Sequence, residues 1–283
     1  MGLAQEWRKL ARMRPCDDAA HWDRRAANFG QGDAPSGYVR AFLAKARLRR
    51  GQTVFDMGCG KGALAIPLAL GGHSVIAADF SRGMLDGLAL RARNLPAHAP
   101  SVTAVQLAWG DPWQRWLDAG LAQNAVDVSF ASRSLATDDL EMALRRLDVV
   151  ARHRVCVTVG TGLSPRVDAR VMAAMGLEPR LRNDALFVFG MASEMGYRPQ
   201  MDCIMSPRWQ GFASREEALD KLFAMAGHAN HPLDQAESLA CRMRLEAWLE
   251  RHLQKDSATG VWQLDQPRRV EWAFISWDKD DRA

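Results

Sequence analysis

From residue 53 to about residue 160 the apolar positions of this chain follow two alternating rhythms. Short β-branched or apolar runs, TVFDM (53–57), HSVIAAD (73–79), TAVQLAWGD (103–111), VDVSFAS (126–132) and RVCVTVG (154–160), read as strands. Between them, residues 61–70, 81–93 and 137–151 carry helical spacing. In the last of these, Leu140, Leu144 and Leu147 recur behind Asp138 and Asp139, which suit a helix start. This alternation predicts right-handed βαβ units and a parallel sheet covered on both faces.

On either side the rhythm changes. Residues 1–50 read as an N-terminal helical segment: Trp7, Leu10 and Ala11 make one apolar face, and the turn-rich NFGQGDAPSG (28–37) leads into YVRAFLAKARL. Beyond residue 160, SPRVDARVMAAMG and ALFVFGMASEMG read as helices and MDCIM (201–205) as a strand. Two amphipathic helices follow. Ser214 and Glu217 form a capping box ahead of Leu219, Leu222, Phe223 and Ala226, and Cys241, Leu245, Trp248 and Leu249 form the second stripe. RRVEWAFISW (268–277) reads as a final strand. No internal repeat or low-complexity segment breaks the chain.

Composition narrows the class. The chain has 283 residues, 48% hydrophobic and 25% charged, so a buried core is within reach. A formal net charge of +4 is mild and falls short of a dedicated nucleic-acid binder. Five cysteines, odd in number and never spaced as CxxC, speak against a disulfide framework or structural zinc, and a reducing cytoplasm is the expected setting. No signal-peptide core or bilayer-length apolar run is present, so no membrane association is expected.

The stretch TVFDMGCGKGALAIPLAL (53–70) concentrates the candidate chemistry. A strand that ends in glycines and opens into a helix exposes backbone N–H groups and lets a ligand approach closely. Gly58, Gly60 and Ala63 satisfy the relaxed dinucleotide fingerprint, with Asp79 placed for a ribose, so glycine spacing alone leaves NAD open. Asp56, two residues before Gly58, shifts the balance. A carboxylate there repels a pyrophosphate and attracts the ammonium and sulfonium charges of S-adenosylmethionine. The plainer reading is that Asp56 bonds the turn backbone.

VFDMGCGKG, VIAADFS and AWGDPW, in that order, resemble the first three cofactor motifs of class I S-adenosylmethionine-dependent methyltransferases, over roughly residues 20–160. HWDRRAANF is similar to the segment that precedes this core in small-molecule members. The resemblance implies a Rossmann-like α/β fold, with a seven-stranded, mostly parallel sheet and an antiparallel last strand. The methyltransferase domain then spans residues 51–283, and the helices at about 206–262 are an insertion before the last strand. It also implies that Gly58, Cys59 and Gly60 lie along the methionine part of the cofactor and that Asp56 holds its amino end. Asp79 would take the ribose hydroxyls, Phe80 would lie along the adenine, and Gly110 and Asp111 would contact the adenine edge. Ala131, Ser132 and Arg133 would face the transferred methyl group.

The acceptor is less legible. FASRSL carries neither an Asn-Pro-Pro-Tyr-like motif nor a Pro-Cys pair, which removes two marked nucleic-acid classes. The expected acceptor is a small molecule or metabolite; RNA is the alternative, and a NAD-dependent oxidoreductase and a non-catalytic adenosyl-binding protein are rivals from other classes. Methyl transfer relies chiefly on alignment, so a base matters only for a protonated acceptor. His21, Tyr38 and Arg133 are the candidates at the reacting end, each with a structural or solvated alternative. The insertion serves either to roof the acceptor pocket or to support packing, including a homodimer. His228 and His231 in HANHP lack further ligands nearby, and no metal site is expected. The basic runs KARLRR, RRLDVVARHR and PRLR read as solvated faces.

Overall fold

The computed structural model describes residues 2–12, 18–27, 35–163, 166–179, 181–228 and 233–281. Most of the link at 28–37, the start of SPRVDARVMAAMG, part of PRLR, Cys16 and His231 lie outside these residues.

The chain divides into two units. The first comprises Met1–Val159, Ala185–Ile204 and Ala273–Ala283; the second comprises Gly160–Asp184 and Met205–Trp272.

Seven strands form one sheet: β1 (Val54–Met57), β2 (Val75–Asp79), β3 (Val102–Gln106), β4 (Val126–Ser132), β5 (Ala151–Gly160), β6 (Gln200–Arg208) and β7 (Arg268–Asp278), in the order β3-β2-β1-β4-β5-β7-β6. Strands β1 to β5 are mutually parallel. The last strand runs the other way: Lys279 donates to His153 and Thr161 to Glu271, so residue numbers rise along β5 as they fall along β7. The expected seven-stranded, mostly parallel sheet with an antiparallel last strand is what the chain forms.

Helices of the first unit follow the strands; the apolar spacing predicts those at 65–70, 82–92 and 140–150 and does not announce the short one at 113–118. They are α1 (Leu3–Ala11), α2 (Ala19–Ala26), α3 (Gly37–Ala46), α4 (Ala65–Leu70), α5 (Arg82–Ala92), α6 (Trp113–Asp118) and α7 (Leu140–Val150). Asp139 caps α7 by accepting from Met142 N at 3.0 Å, and Leu140, Leu144 and Leu147 are fully buried beneath it. Trp7 of α1 is buried, donates its indole N–H to Thr137 O at 2.9 Å and meets Phe187 edge-on at 5.6 Å. Phe42 of α3 packs edge-on against Phe130 of β4 and Phe274 of β7.

One helix is shorter than its spacing suggests. Residues 61–70 read as helical, yet α4 begins at Ala65, because Gly58, Gly60 and Gly62 all take positive φ (78°, 54° and 79°) and turn the chain first.

The second unit contains α8 (Ala169–Met175), and α10 (Arg215–Phe223) and α11 (Gln235–His252), with α9 (Asp184–Glu194) almost wholly in the first. Its core gathers Val171, Met172, Met175, Leu222, Leu245 and Leu249. It also holds a three-stranded antiparallel sheet of residues 211–212, 262–264 and 253–255 that the apolar pattern does not announce. The caps differ from expectation in one respect. Ser214 accepts from Glu217 N, but the Glu217 carboxylate returns to Ala213 N, whereas a complete capping box forms at Asp234 and Glu237 of α11.

Candidate functional site

The carboxyl ends of β1, β2, β4 and β5 converge, and the polar residues of the first unit collect there. Gly58 follows β1 in a left-handed conformation, and a Cβ on it would lie 2.2 Å from Cβ of Ser134. Ser134 in turn donates its hydroxyl to Met57 O and accepts the Trp109 indole N–H on its carbonyl at 2.8 Å. Three loops are thereby pinned around one glycine. The loop's own N–H groups turn inward: Gly58 and Cys59 both donate to Ala78 O (2.7 and 2.9 Å), Gly60 to Asp79, and Gly62 to Cys59 O.

Asp56 is the exceptional residue. It is 1% exposed, and neither carboxylate oxygen has a hydrogen-bond partner, so it does not bond the turn backbone. Burial, and after it the charge of Asp79, push its pKa up to about 7. Cys59 beside it is also buried, and its thiol is pushed up chiefly by burial and then by the two carboxylates, which leaves it inert as a nucleophile.

Asp79 ends β2. One oxygen accepts from Gly60 N and the other from Ser81 N, both at 2.9 Å, and burial raises its pKa against these bonds. Phe80, half-buried, accepts from the Gln106 side chain on its carbonyl. Ser81 caps α5 and donates to Asp23 at 2.6 Å; Asp23 also accepts from Gly83 N at 2.9 Å. These bonds draw its pKa down, so Asp23 stays ionised. Thus Asp23 of HWDRR fastens α2 to the end of β2, a role the sequence reading missed. His21, the candidate base on the same helix, has its N–H bonded to Asp18 and its ring edge-on to Trp22 at 5.8 Å.

Beyond β3, Gly110 is exposed, and a Cβ there would meet nothing within 4 Å. Asp111 accepts from Ala108 N at 2.9 Å and lies 3.5 Å from Arg115, which closes its turn. Trp113 stacks on Trp116 at 5.9 Å and packs on the core.

At the ends of β4 and β5 the structure joins three expected residues, Tyr38, Ser132 and Arg133, to Thr158, which was overlooked. The buried Tyr38 hydroxyl lies 2.7 Å from Ser132 Oγ and 2.6 Å from Thr158 Oγ1. Arg133 takes positive φ (60°), its N–H donates to Thr158 Oγ1 at 3.1 Å, and its guanidinium lies 4.0 Å above the Tyr38 ring. A non-glycine residue in that conformation stores strain that surrounding contacts must hold. Burial above all raises the Tyr38 pKa, so the phenol is protonated at neutral pH. Ala131, fully buried, precedes this cluster. Thr158 carried a faint signal, as the one hydroxyl inside the apolar run VCVTV.

A separate open cleft of about 600 Å³ runs between α6 and α7 and is lined by Trp113, Leu117, Met142 and Arg146 among others; none of the glycine-loop residues lines it. Among the described residues, no group of three or more His, Cys, Asp or Glu is placed to hold a metal ion, and no helix is long and apolar enough to cross a membrane.

No family model matches the sequence. An uncharacterized protein of Haemophilus influenzae is 27% identical over 261 residues, which cover 92% of this chain and 89% of that protein. Among solved structures, the YcgJ protein from Bacillus subtilis is similar with a TM-score of 0.52 at 14% identity, over 86% of this chain and 97% of that one. A candidate methyltransferase from Bacillus halodurans C-125 gives 0.50 at 12% identity, over 85% and 98%. Identities this low speak to fold. Strand order, the antiparallel last strand and these likenesses agree: the chain has the fold of the class I methyltransferases.

Proposed function

We propose that this chain is an S-adenosylmethionine-dependent methyltransferase acting on a small-molecule acceptor. The observation that carries the proposal is Asp56, a carboxylate buried without a partner beside a left-handed glycine loop. A buried acceptor pair left unbonded is costly, and a cationic ligand removes that cost. The ammonium group of the cofactor is such a ligand. A dinucleotide is not: its pyrophosphate would face the carboxylate, and the N–H groups of Gly58, Cys59, Gly60 and Gly62 are already engaged.

The cofactor, when bound, supplies a methyl group activated by its sulfonium. The protein's share is to bind and align. Asp56 receives the amino end, with Gly58, Cys59 and Gly60 as the backbone surface beside it. Asp79 is held rigid by Gly60 and Ser81, and each of its oxygens keeps a lone pair for a ribose hydroxyl. Phe80, Gly110 and Asp111 bound the adenine. Tyr38, Ser132, Arg133 and Thr158 form the polar wall at the reacting end. Because Tyr38 is protonated and doubly hydrogen-bonded, it serves to orient rather than to remove a proton.

Thermal stabilisation by S-adenosylmethionine and S-adenosylhomocysteine, with none by NAD, is the expected result; stabilisation by NAD alone overturns the proposal. Turnover of a small acceptor should change little with salt, whereas an RNA acceptor would bind steeply less well as salt rises. Cofactor binding without turnover against a broad acceptor panel would favour a non-catalytic role.

A further inference from the structure

The cleft between α6 and α7 lies wholly within the first unit, and the methyl-donor reading leaves it unused. Its volume, about 600 Å³, falls within the range of about 300–1,000 Å³ that holds small organic ligands. Leu117 and Val149, 39% and 37% exposed, share its apolar lining with Met142 and Trp113. The Trp113 ring is fixed by its stack on the fully buried Trp116.

Five charged side chains line the cleft, and four of them are already paired. Arg8 meets Asp139 at 3.0 Å, and Arg145 holds Glu141 through Nε and Nη2 at 3.0 and 2.9 Å. Arg146 is the fifth. Among the described residues it has no carboxylate partner: its guanidinium donates once, to Trp109 O, and lies 5.0 Å from the centre of the Trp116 ring. A backbone carbonyl takes up one of the five donors of an arginine and none of its charge. Arg146 is half-buried; burial draws its pKa down, and the charges of Asp111 and Asp139 offset only part of this. An arginine stays protonated even so, and a partly desolvated guanidinium with open donors favours a carboxylate in bidentate geometry. Asp139 and Glu141 limit the charge such a ligand can carry. A dianion would meet two carboxylates as well as the arginine, whereas a monoanion balances the one unmatched charge.

We propose that this cleft binds a small organic monocarboxylate, with its carboxylate on the Arg146 guanidinium and a flat apolar body against Trp113, Leu117, Met142 and Val149. None of the residues assigned to the methyl donor lines the cleft, so the site stands independently of that reading.

The test is calorimetric titration of the full chain with 2-naphthoate, with its neutral counterpart 2-naphthamide and with the dianion 2-naphthyl phosphate, at constant ionic strength. Saturable binding of 2-naphthoate is expected, with the amide and the phosphate ester each bound at least several-fold less tightly. Arg146→Gln should weaken 2-naphthoate binding tenfold or more and leave the amide nearly unaffected, while Arg145→Gln, which alters a paired side chain, should change neither by much. A circular-dichroism melt checks that Arg146→Gln folds. Should it not fold, Leu117→Asp, which places a carboxylate in the cleft at an exposed position, is expected to weaken 2-naphthoate binding tenfold. No saturable binding of 2-naphthoate, equal affinity for the amide, tighter binding of the phosphate ester, or unchanged affinity in a folded variant overturns the site.

Discussion

Asp56 works against the stability of the fold that contains it. Its folded pKa, about 7, lies above the ordinary carboxylate value near 3.8, so the native state holds a proton that the unfolded chain releases. Stability from this group is therefore greatest below the unfolded value and declines as pH rises through 7. Asp56→Asn keeps the shape without the charge. It should raise the Tm of the ligand-free protein at pH 8 more than at pH 5, and it should weaken S-adenosylmethionine binding at least tenfold. The wild-type protein should bind that cofactor more tightly at pH 8 than at pH 6 and release a proton as it does so, which titration in buffers of different ionisation enthalpy reads directly. Gly58 belongs to the same scale. Gly58→Ala combines a left-handed backbone with a contact on Ser134, and it should cost about 2 kcal/mol in urea unfolding.

At the scale of elements, what the sequence revealed depended on how far apart the partners lie. Asp79 and Asp139 sit within three residues of the helix-start groups they bond, Ser81 and Met142, and local pattern identifies both. Asp23 lies 58 residues from Ser81 and Thr158 lies 120 from Tyr38, so only the assembled sheet shows that they meet. The two-residue strands at 211–212 and elsewhere are too short to carry a period, and the capping return from Glu217 reached Ala213 because loop geometry, not residue type, set its target. Asp23 provides the test at this scale. Asp23→Ala removes the tie between α2 and the start of α5, so amide exchange over residues 81–86 should quicken and S-adenosylmethionine affinity should fall several-fold, with far-UV circular dichroism unchanged.

For the molecule as a whole, the cofactor reading places the ligand within the first unit alone. Amide exchange measured with and without S-adenosylhomocysteine should show protection concentrated at residues 54–63, 77–83 and 129–134. The core around Val171, Leu222 and Leu245 should respond much less. Equal protection in both units would count against that placement.

The strand order has a further consequence, for the ribosome. β7 lies between β5 and β6 in the sheet but is made after both, separated from β6 by residues 209–267. While that run is being synthesised, β6 has been made but its only neighbour in the sheet has not, and one flank of β5 is bare. The nascent chain carries Ile204 and the exposed Met201 and Met205 through this interval with no strand to cover them. Slow translation of the second unit would lengthen that interval, and a holding chaperone would shorten its effect.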